Sequence, residues 1–266
     1  MRKSGKIPKV LWISVTLLFL YFPLLVMVVF SFNDSTSLSH WEGFSFRWYE
    51  SLFSSNQMIS AIFVSVSIAV LATIISTILG TVTAIGLSKS KKIVRTAILQ
   101  TNNLPILNPE IVTAISLMLL FSFLGINRGY LTLLIAHIVI CTPFVITNVL
   151  PKVKQMDVHL ADAAMDLGAT PLQALTKVII PQIKPGIFAG ALMAFTISFD
   201  DFIISYFVSG NGIENISIVV YNMSRRTNPS IYALATIILV VILVIVFVGT
   251  FVPYIIVKRK GRITHE

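Results

Sequence analysis

Long apolar runs, too few charges to clothe a water-soluble core, and a one-sided distribution of basic residues predict an all-α, polytopic membrane protein with six transmembrane helices. The chain has 266 residues, 56% hydrophobic and 12% charged, so most of its apolar surface must face lipid or other membrane helices. The net charge of +9 does not point to nucleic acid, because the charge positions have another explanation. Of the 20 Lys and Arg residues, all but Arg47, Arg128, Arg225 and Arg226 flank apolar runs on one proposed side. That is a positive-inside bias, and it places both termini in the cytoplasm. The chain 1–266 reads as a single membrane domain in a lipid bilayer, with no nucleic-acid partner.

The first span follows the basic stretch Arg2 to Lys9 and covers residues 10–32. It is longer than a secretory signal core and lacks a small-residue cleavage site, so it is read as retained. Pro23 is tolerable inside it, since neighbouring helices can satisfy the freed carbonyl. Residues 33–57 form an external loop dense in aromatics: Trp41, Phe44, Phe46, Trp48, Tyr49 and Phe53. These rings fit an interfacial belt. They fit equally a short amphipathic helix at the mouth of a path, facing an organic cation.

The second span, 58–88, leads into Lys89, Lys91, Lys92 and Arg95. The third, 96–124, is interrupted by Asn102-Asn103-Leu104-Pro105 and then Asn108-Pro109-Glu110. Asn-Pro-Glu supplies the cap, the proline and the first-turn acid of a helix start. A break is expected there, and discontinuous helices often mark transport sites. After a turn at Gly125 to Gly129 comes the fourth span, 131–150, with Pro143 inside it. A polar insert follows at 151–185. The fifth span, 186–208, carries Gly186, Gly190, Ala194 and Ser198 at four-residue intervals, a face suited to close helix approach. An external loop leads to the last span, 231–257, anchored inside by Lys258-Arg259-Lys260.

The insert has its own local chemistry. Asp157 is expected to cap a short helix with Leu160, Ala164 and Leu167 on one face. Gly168 sits where a helix end wants a left-handed residue. Thr170-Pro171 restarts a second helix, striped by Leu172, Leu175 and Ile179, that Pro181 and Pro185-Gly186 are expected to end. Asp162-Ala163-Ala164, then Gly168, then Val178-Ile179-Ile180-Pro181 resemble the EAA loop of permease subunits in ABC importers. Aspartate stands where that pattern has glutamate, keeping the charge but shortening its reach. The resemblance implies the MetI-like permease architecture. It also implies that Asp162, Ala163, Ala164, Gly168 and Pro181 belong to a knuckle that docks on a separate ATPase subunit.

No phosphate-binding loop of the form G-x-x-x-x-G-K-[ST] occurs, nor G-x-S-x-G, H-E-x-x-H or a cysteine cluster. The chain is therefore not read as an enzyme, and no cofactor is expected. Cys141 is the one cysteine and cannot form an intrachain disulfide. The four histidines lack metal-ligand spacing. His137, within a span, is read as a packed interhelical hydrogen-bonder, with a proton relay as the alternative.

Three acids lie at membrane depth: Glu110, Asp200 and Asp201. A charge near the bilayer centre costs at least ~2.5 kcal/mol on insertion scales, so each should face a cavity or a partner. At ~1.5 Å rise per residue, Asp200 lies roughly 20 Å from Gly186, in the outer half of a ~30 Å core. Asp201 extends the small-residue face and points into the bundle. No Lys or Arg within the spans neutralises them, and the missing partner reads as a cationic substrate. The alternatives are protonated acids, hydrogen bonds to a second permease subunit, or, for Glu110, a helix-capping role.

Ser31-Phe32-Asn33, Trp41-Glu42-Gly43-Phe44, Trp48-Tyr49, Asn108-Pro109-Glu110-Ile111-Val112 and Ser198-Phe199-Asp200-Asp201-Phe202 resemble PotC-type permeases of spermidine/putrescine importers. Family members often show S-P-D-I-V where this chain has Asn-Pro-Glu-Ile-Val, which keeps the acid. The resemblance implies a bacterial plasma (inner) membrane importer with two homologous permeases, two ATP-binding subunits and an extracytoplasmic polyamine-binding protein. The substrate path expected from it runs past Trp48, Glu110, Asp200 and Asp201. An ABC permease for another solute shares the coupling loop and stays open as a reading. An ion-coupled secondary transporter predicts inverted repeats, and none is visible.

Overall fold

The computed structural model describes residues 6–37, 40–157, 159–225, 228–244 and 247, with side chains from Leu11 onward. Arg2, Lys3, Arg226, Lys258, Arg259, Lys260, Arg262 and the end of the sixth expected span lie outside the described residues. The helices are α1 (Lys6–Phe30), α2 (Arg47–Phe53), α3 (Asn56–Lys89), α4 (Lys92–Leu107), α5 (Glu110–Phe123), α6 (Tyr130–Gln155), α7 (Leu160–Asp166) and α8 (Pro171–Ala174). A π turn at Leu175–Ile179 is followed by α9 (Ile180–Asp200), α10 (Ile203–Val208), α11 (Ile216–Arg225) and α12 (Ser230–Val244). Among the described residues the only β pairing is an isolated bridge between Asn33 and Phe44. The chain divides into two compact units, Met1–Met58 with Val220–Glu266, and Ile59–Val219.

In the first unit, α1 is apolar all round and has no buried residue over Leu11–Phe30, as a helix in lipid should be. Its end is organised by Asn33, which is 2% exposed. The Asn33 amide donates to His40 O (2.6 Å) and accepts from Glu42 N–H (2.9 Å), while its backbone O accepts from Trp48 Nε1–H (2.8 Å). One side chain thus folds the loop back on itself. The aromatics of this segment pack on each other, with Phe32 stacked on Phe44 at 5.4 Å and against Tyr49 at 5.3 Å.

The second unit is built on α6 and α9. Gly186, Gly190, Ala194 and Ser198 are all buried, and the face they form is the one that α6 meets. A Cβ on Gly190 would lie 3.1 Å from Val145 Cα, and one on Gly186 would lie 3.0 Å from Asn148 O. Backbones this close need glycine, which is what small residues at four-residue spacing provide. Cys141, in α6, is buried and donates to Ala194 O.

The third expected span breaks where its sequence predicts, and the fifth departs from its sequence reading. The third is bent by 106° between α4 and α5, at Asn108-Pro109. Asn108 is held extended (φ −77°, ψ 145°) by the proline that follows it. The fifth does not begin at Gly186: helix runs continuously from Pro171 to Asp200, over 30 residues, and then stops at Asp201. Pro181 and Pro185 do not end it. Ile180 N–H donates to Leu175 O, an i→i−5 bond, and this widened turn makes room for a proline ring that would clash in α geometry. By length and composition four helices can cross a membrane, or five if the bent pair counts as one span. The described part of α12 is shorter than a full span.

Candidate functional site

Both helix breaks of the second unit open onto one cavity of about 550 Å³, a volume in the range of small-ligand sites. The α4–α5 corner contributes Pro105, Asn108, Glu110 and Thr113. The α9–α10 break contributes Thr196, Asp200, Asp201 and Phe202, and α6 closes the wall with Ile140 and Phe144. Three of the four expected path residues, Glu110, Asp200 and Asp201, therefore line a single space.

The three acids are not equivalent. Glu110 and Asp200 are exposed, and among the described residues no Lys, Arg or His lies within ion-pair distance of either carboxylate. Glu110 opens α5 but no side-chain cap bond forms at that start. Asp200 sits on the last residue of α9, where the helix dipole presents partial negative charge and makes a carboxylate unfavourable without a cation. Asp201 is only 9% exposed. Its Oδ1 accepts from Ile204 N–H (3.3 Å), and its Oδ2 accepts from Ser205 N–H (2.7 Å) and Ser205 Oγ–H (2.8 Å). About three of the four acceptor positions of this carboxylate are filled from within the chain.

Behind Asp201 lies a buried polar network. Asn215 donates to Asp201 O (2.8 Å) and to Ser205 Oγ (2.9 Å). His137, 1% exposed, reaches Ser198 Oγ with Nδ1 (2.7 Å) and Ser205 Oγ with Nε2 (3.1 Å). Its Nε2 is 3.5 Å from Asp201 Oδ2. His137 is thus the interhelical hydrogen-bonder that its isolation in a span suggests. The sequence reading omits Ser198, Ser205 and Asn215 as its partners. Polar residues at 198, 201 and 205 recur at helical spacing in the sequence, and that spacing is the signal that points to them.

Trp48 belongs to the first unit. It is 8% exposed, its indole N–H is bonded to Asn33 O, and the Arg47 guanidinium lies 5.0 Å from its ring centroid. A substrate cation on that ring would have to displace Arg47 or approach the opposite face.

The insert forms the expected knuckle, with corrections. Gly168 has φ +88°, and Ala169 N–H and Gly168 N–H close onto Ala164 O and Met165 O, a Schellman end to α7. Thr170 Oγ1 accepts from Gln173 N–H while Gln173 Oε1 accepts from Thr170 N–H, a complete capping box with Pro171 at the first helical position. Asp157 does not cap α7. Its Oδ1 accepts from His159 N–H (2.9 Å) and shapes the turn ahead of the helix. Nor do the leucine stripes pack inward throughout: Ile179 is buried, but Leu167 is 90% and Leu172 68% exposed. Asp162, Ala163, Gly168 and Pro181 are exposed, and Ala164 is half-buried.

Residues 76–262 match the family model described as "Binding-protein-dependent transport system inner membrane component". The spermidine/putrescine transport system permease protein PotC of Escherichia coli is 36% identical over 245 residues, covering 92% of both chains. The putrescine transport system permease protein PotI of Escherichia coli is 37% identical over 258 residues, covering 92% of this chain and 90% of that one. Among solved structures, a bacterial ABC transporter that imports the acidic polysaccharide alginate superposes with a TM-score of 0.69 at 18% identity, covering 92% of each chain. The same kind of transporter, in complex with an alginate pentasaccharide-bound periplasmic protein, gives 0.68, covering 91% of this chain and 90% of that one.

Proposed function

Because this chain belongs to the family of binding-protein-dependent transport system inner membrane components, we propose that it forms half the translocation path of an ATP-driven importer for spermidine or putrescine. The observation that carries the substrate is the pair of exposed, unpaired carboxylates, Glu110 and Asp200, on one cavity between two broken helices. A flexible polycation supplies ammonium groups to both acids, and the apolar walls at Ile140 and Phe144 suit the methylene stretches between them. The names of the PotC and PotI relatives point to the same substrate class.

In this reading both termini are cytoplasmic, in the inner membrane of a bacterium. A binding protein delivers polyamine from outside, and a second homologous permease completes the path. A pair of ATP-binding subunits docks on the knuckle at 157–181. Leu167 and Leu172 support that docking, because apolar side chains held in water on a short, capped helix pair suit burial in a partner's cleft. The chain itself supplies position and charge, and the chemistry of ATP hydrolysis resides in the partner.

The test is uptake of labelled spermidine by cells lacking polyamine import, with this chain produced together with its neighbouring subunits. Wild type should transport, and Glu110→Gln with Asp200→Asn should raise KM at least tenfold at equal membrane levels. Unchanged uptake in the double variant would remove the acids from the path. No uptake of spermidine or putrescine by wild type would leave a permease of this family with another solute.

A further inference from the structure

We infer that Asp201 and His137 are positioning residues that hold the α9–α10 break open, and that of the adjacent aspartates only Asp200 is presented to the substrate. The inference rests on the proposed path through the cavity for its transport readout, but not for its structural one.

A helix that stops at membrane depth leaves donors and acceptors with no water to satisfy them. The break after Asp200 frees the first N–H groups of α10, and Asp201 takes those of Ile204 and Ser205 with its two oxygens. Tyr206 N–H reaches Phe202 O (2.9 Å), and Asp201 O is satisfied by Asn215. This is the work of an N-cap, which needs acceptors and not a net charge.

The hydrogen roles around Ser205, assigned from the network, give His137 its part. Ser205 has one hydroxyl proton and it goes to Asp201 Oδ2, so Ser205 Oγ accepts from Asn215 and from His137 Nε2–H. A neutral imidazole with its proton on Nε2 then accepts at Nδ1 from Ser198 Oγ–H. Ser198 lies before the break and Ser205 after it, on α9 and α10. His137, from α6, therefore ties the two helices across the gap and supports the residue that caps the second one. With both ends fixed, Asp200 is left on the open end of α9 with its carboxylate in the cavity.

The capping role and the charge role separate at position 201. Asparagine carries no charge but keeps one acceptor oxygen, enough for the two Ser205 bonds now made to Oδ2, and gives up only the longer bond from Ile204 N–H (3.3 Å), whereas alanine keeps no acceptor. The experiment measures spermidine uptake by the assembled transporter for Asp200→Asn, Asp201→Asn, Asp201→Ala and His137→Ala. Amide hydrogen exchange over residues 203–208 of the full chain is followed in the same variants. Asp201→Asn should stay within about threefold of wild type in KM and in maximal rate. Asp201→Ala and His137→Ala should lower the maximal rate at least tenfold and speed exchange at Ile204 and Ser205. Asp200→Asn should raise KM with normal exchange.

A rise in KM for Asp201→Asn matching that of Asp200→Asn, with exchange unaltered, would overturn the inference and make both aspartates substrate ligands. Should the alanine variants fail to insert, the comparison of the two asparagine variants decides alone. Should wild type transport no polyamine, the polyamine reading fails while the exchange data still decide. Faster exchange at Ser205 in Asp201→Ala and His137→Ala but not in Asp201→Asn supports positioning, and equal exchange there in all four overturns it.

Discussion

Near Pro171 the chain leaves leucines exposed; at the far end of the same helix, at Asp200, it holds a carboxylate beside apolar walls. Each region leaves one kind of group without its usual partner. In the knuckle the helix ends are closed by the Schellman end at Gly168 and the capping box at Thr170, and the unmet need is apolar. Around the cavity α6 packs closely against the buried small-residue face of α9, and the unmet need is charge. On the proposed function, what is left unsatisfied at each place matches a partner's chemistry: a protein cleft for Leu167 and Leu172, a cation for Glu110 and Asp200.

The contrast can be broken at either end. The largest effect is expected from Gly168→Val, which puts a β-branched residue at φ +88°, costing roughly 1–2 kcal/mol locally and deforming the docking surface. Uptake should be lost although nothing lies within 4 Å of the new Cβ, so immunoblots of the membrane fraction should show normal insertion. Next in size, single Glu110→Gln and Asp200→Asn changes should each raise KM about tenfold, equivalent to ~1.4 kcal/mol. ATPase association, read by co-purification, should be untouched in both. Leu167→Ser with Leu172→Ser should do the reverse, weakening co-purification and lowering the maximal rate severalfold with KM unaltered. The smallest expected effect is that of Thr170→Ala, which removes one cap worth about 1 kcal/mol and should reduce uptake by less than threefold. If the leucine and acid variants shared one kinetic signature, the two regions would not be doing separate jobs.

The legible parts of the molecule were those fixed by neighbours in sequence. Gly168, Thr170 and the Asn108-Pro109 corner announce themselves through backbone chemistry within four residues. The close face at Gly186, Gly190, Ala194 and Ser198 is equally local in its spacing, and the structure supplies α6 as its partner. The break after Asp200 was not legible, because no Pro or Gly marks it. It depends on a carboxylate folding forward onto its own helix and on His137, 64 positions earlier. Pro181 and Pro185 misled in the other direction: a π turn just ahead of Pro181 absorbs what that proline would otherwise disrupt, and α9 runs on through Pro185. Trp48 was legible as part of an aromatic segment but not as a ring already paired with Arg47. The unpaired acids could be read because an absence of basic residues in the spans is visible in the sequence. Which acid is spent on the fold required tertiary contacts.

The uninterrupted helix from Pro171 to Asp200 has a mechanical consequence. At ~1.5 Å per residue it is a rod about 45 Å long, and no loop along it can take up strain. Tilting such a rod by about 5° around one end sweeps the other by roughly 4 Å, comparable to the separation of a carboxylate from its counterion. On the proposed function, a small rotation imposed at Leu172 by an ATPase partner would be enough to carry Asp200 off a bound ammonium. The π turn at Leu175–Ile179 is the one departure from α geometry in that rod, close to its knuckle end, and replacing it with α geometry should make the far end follow more faithfully.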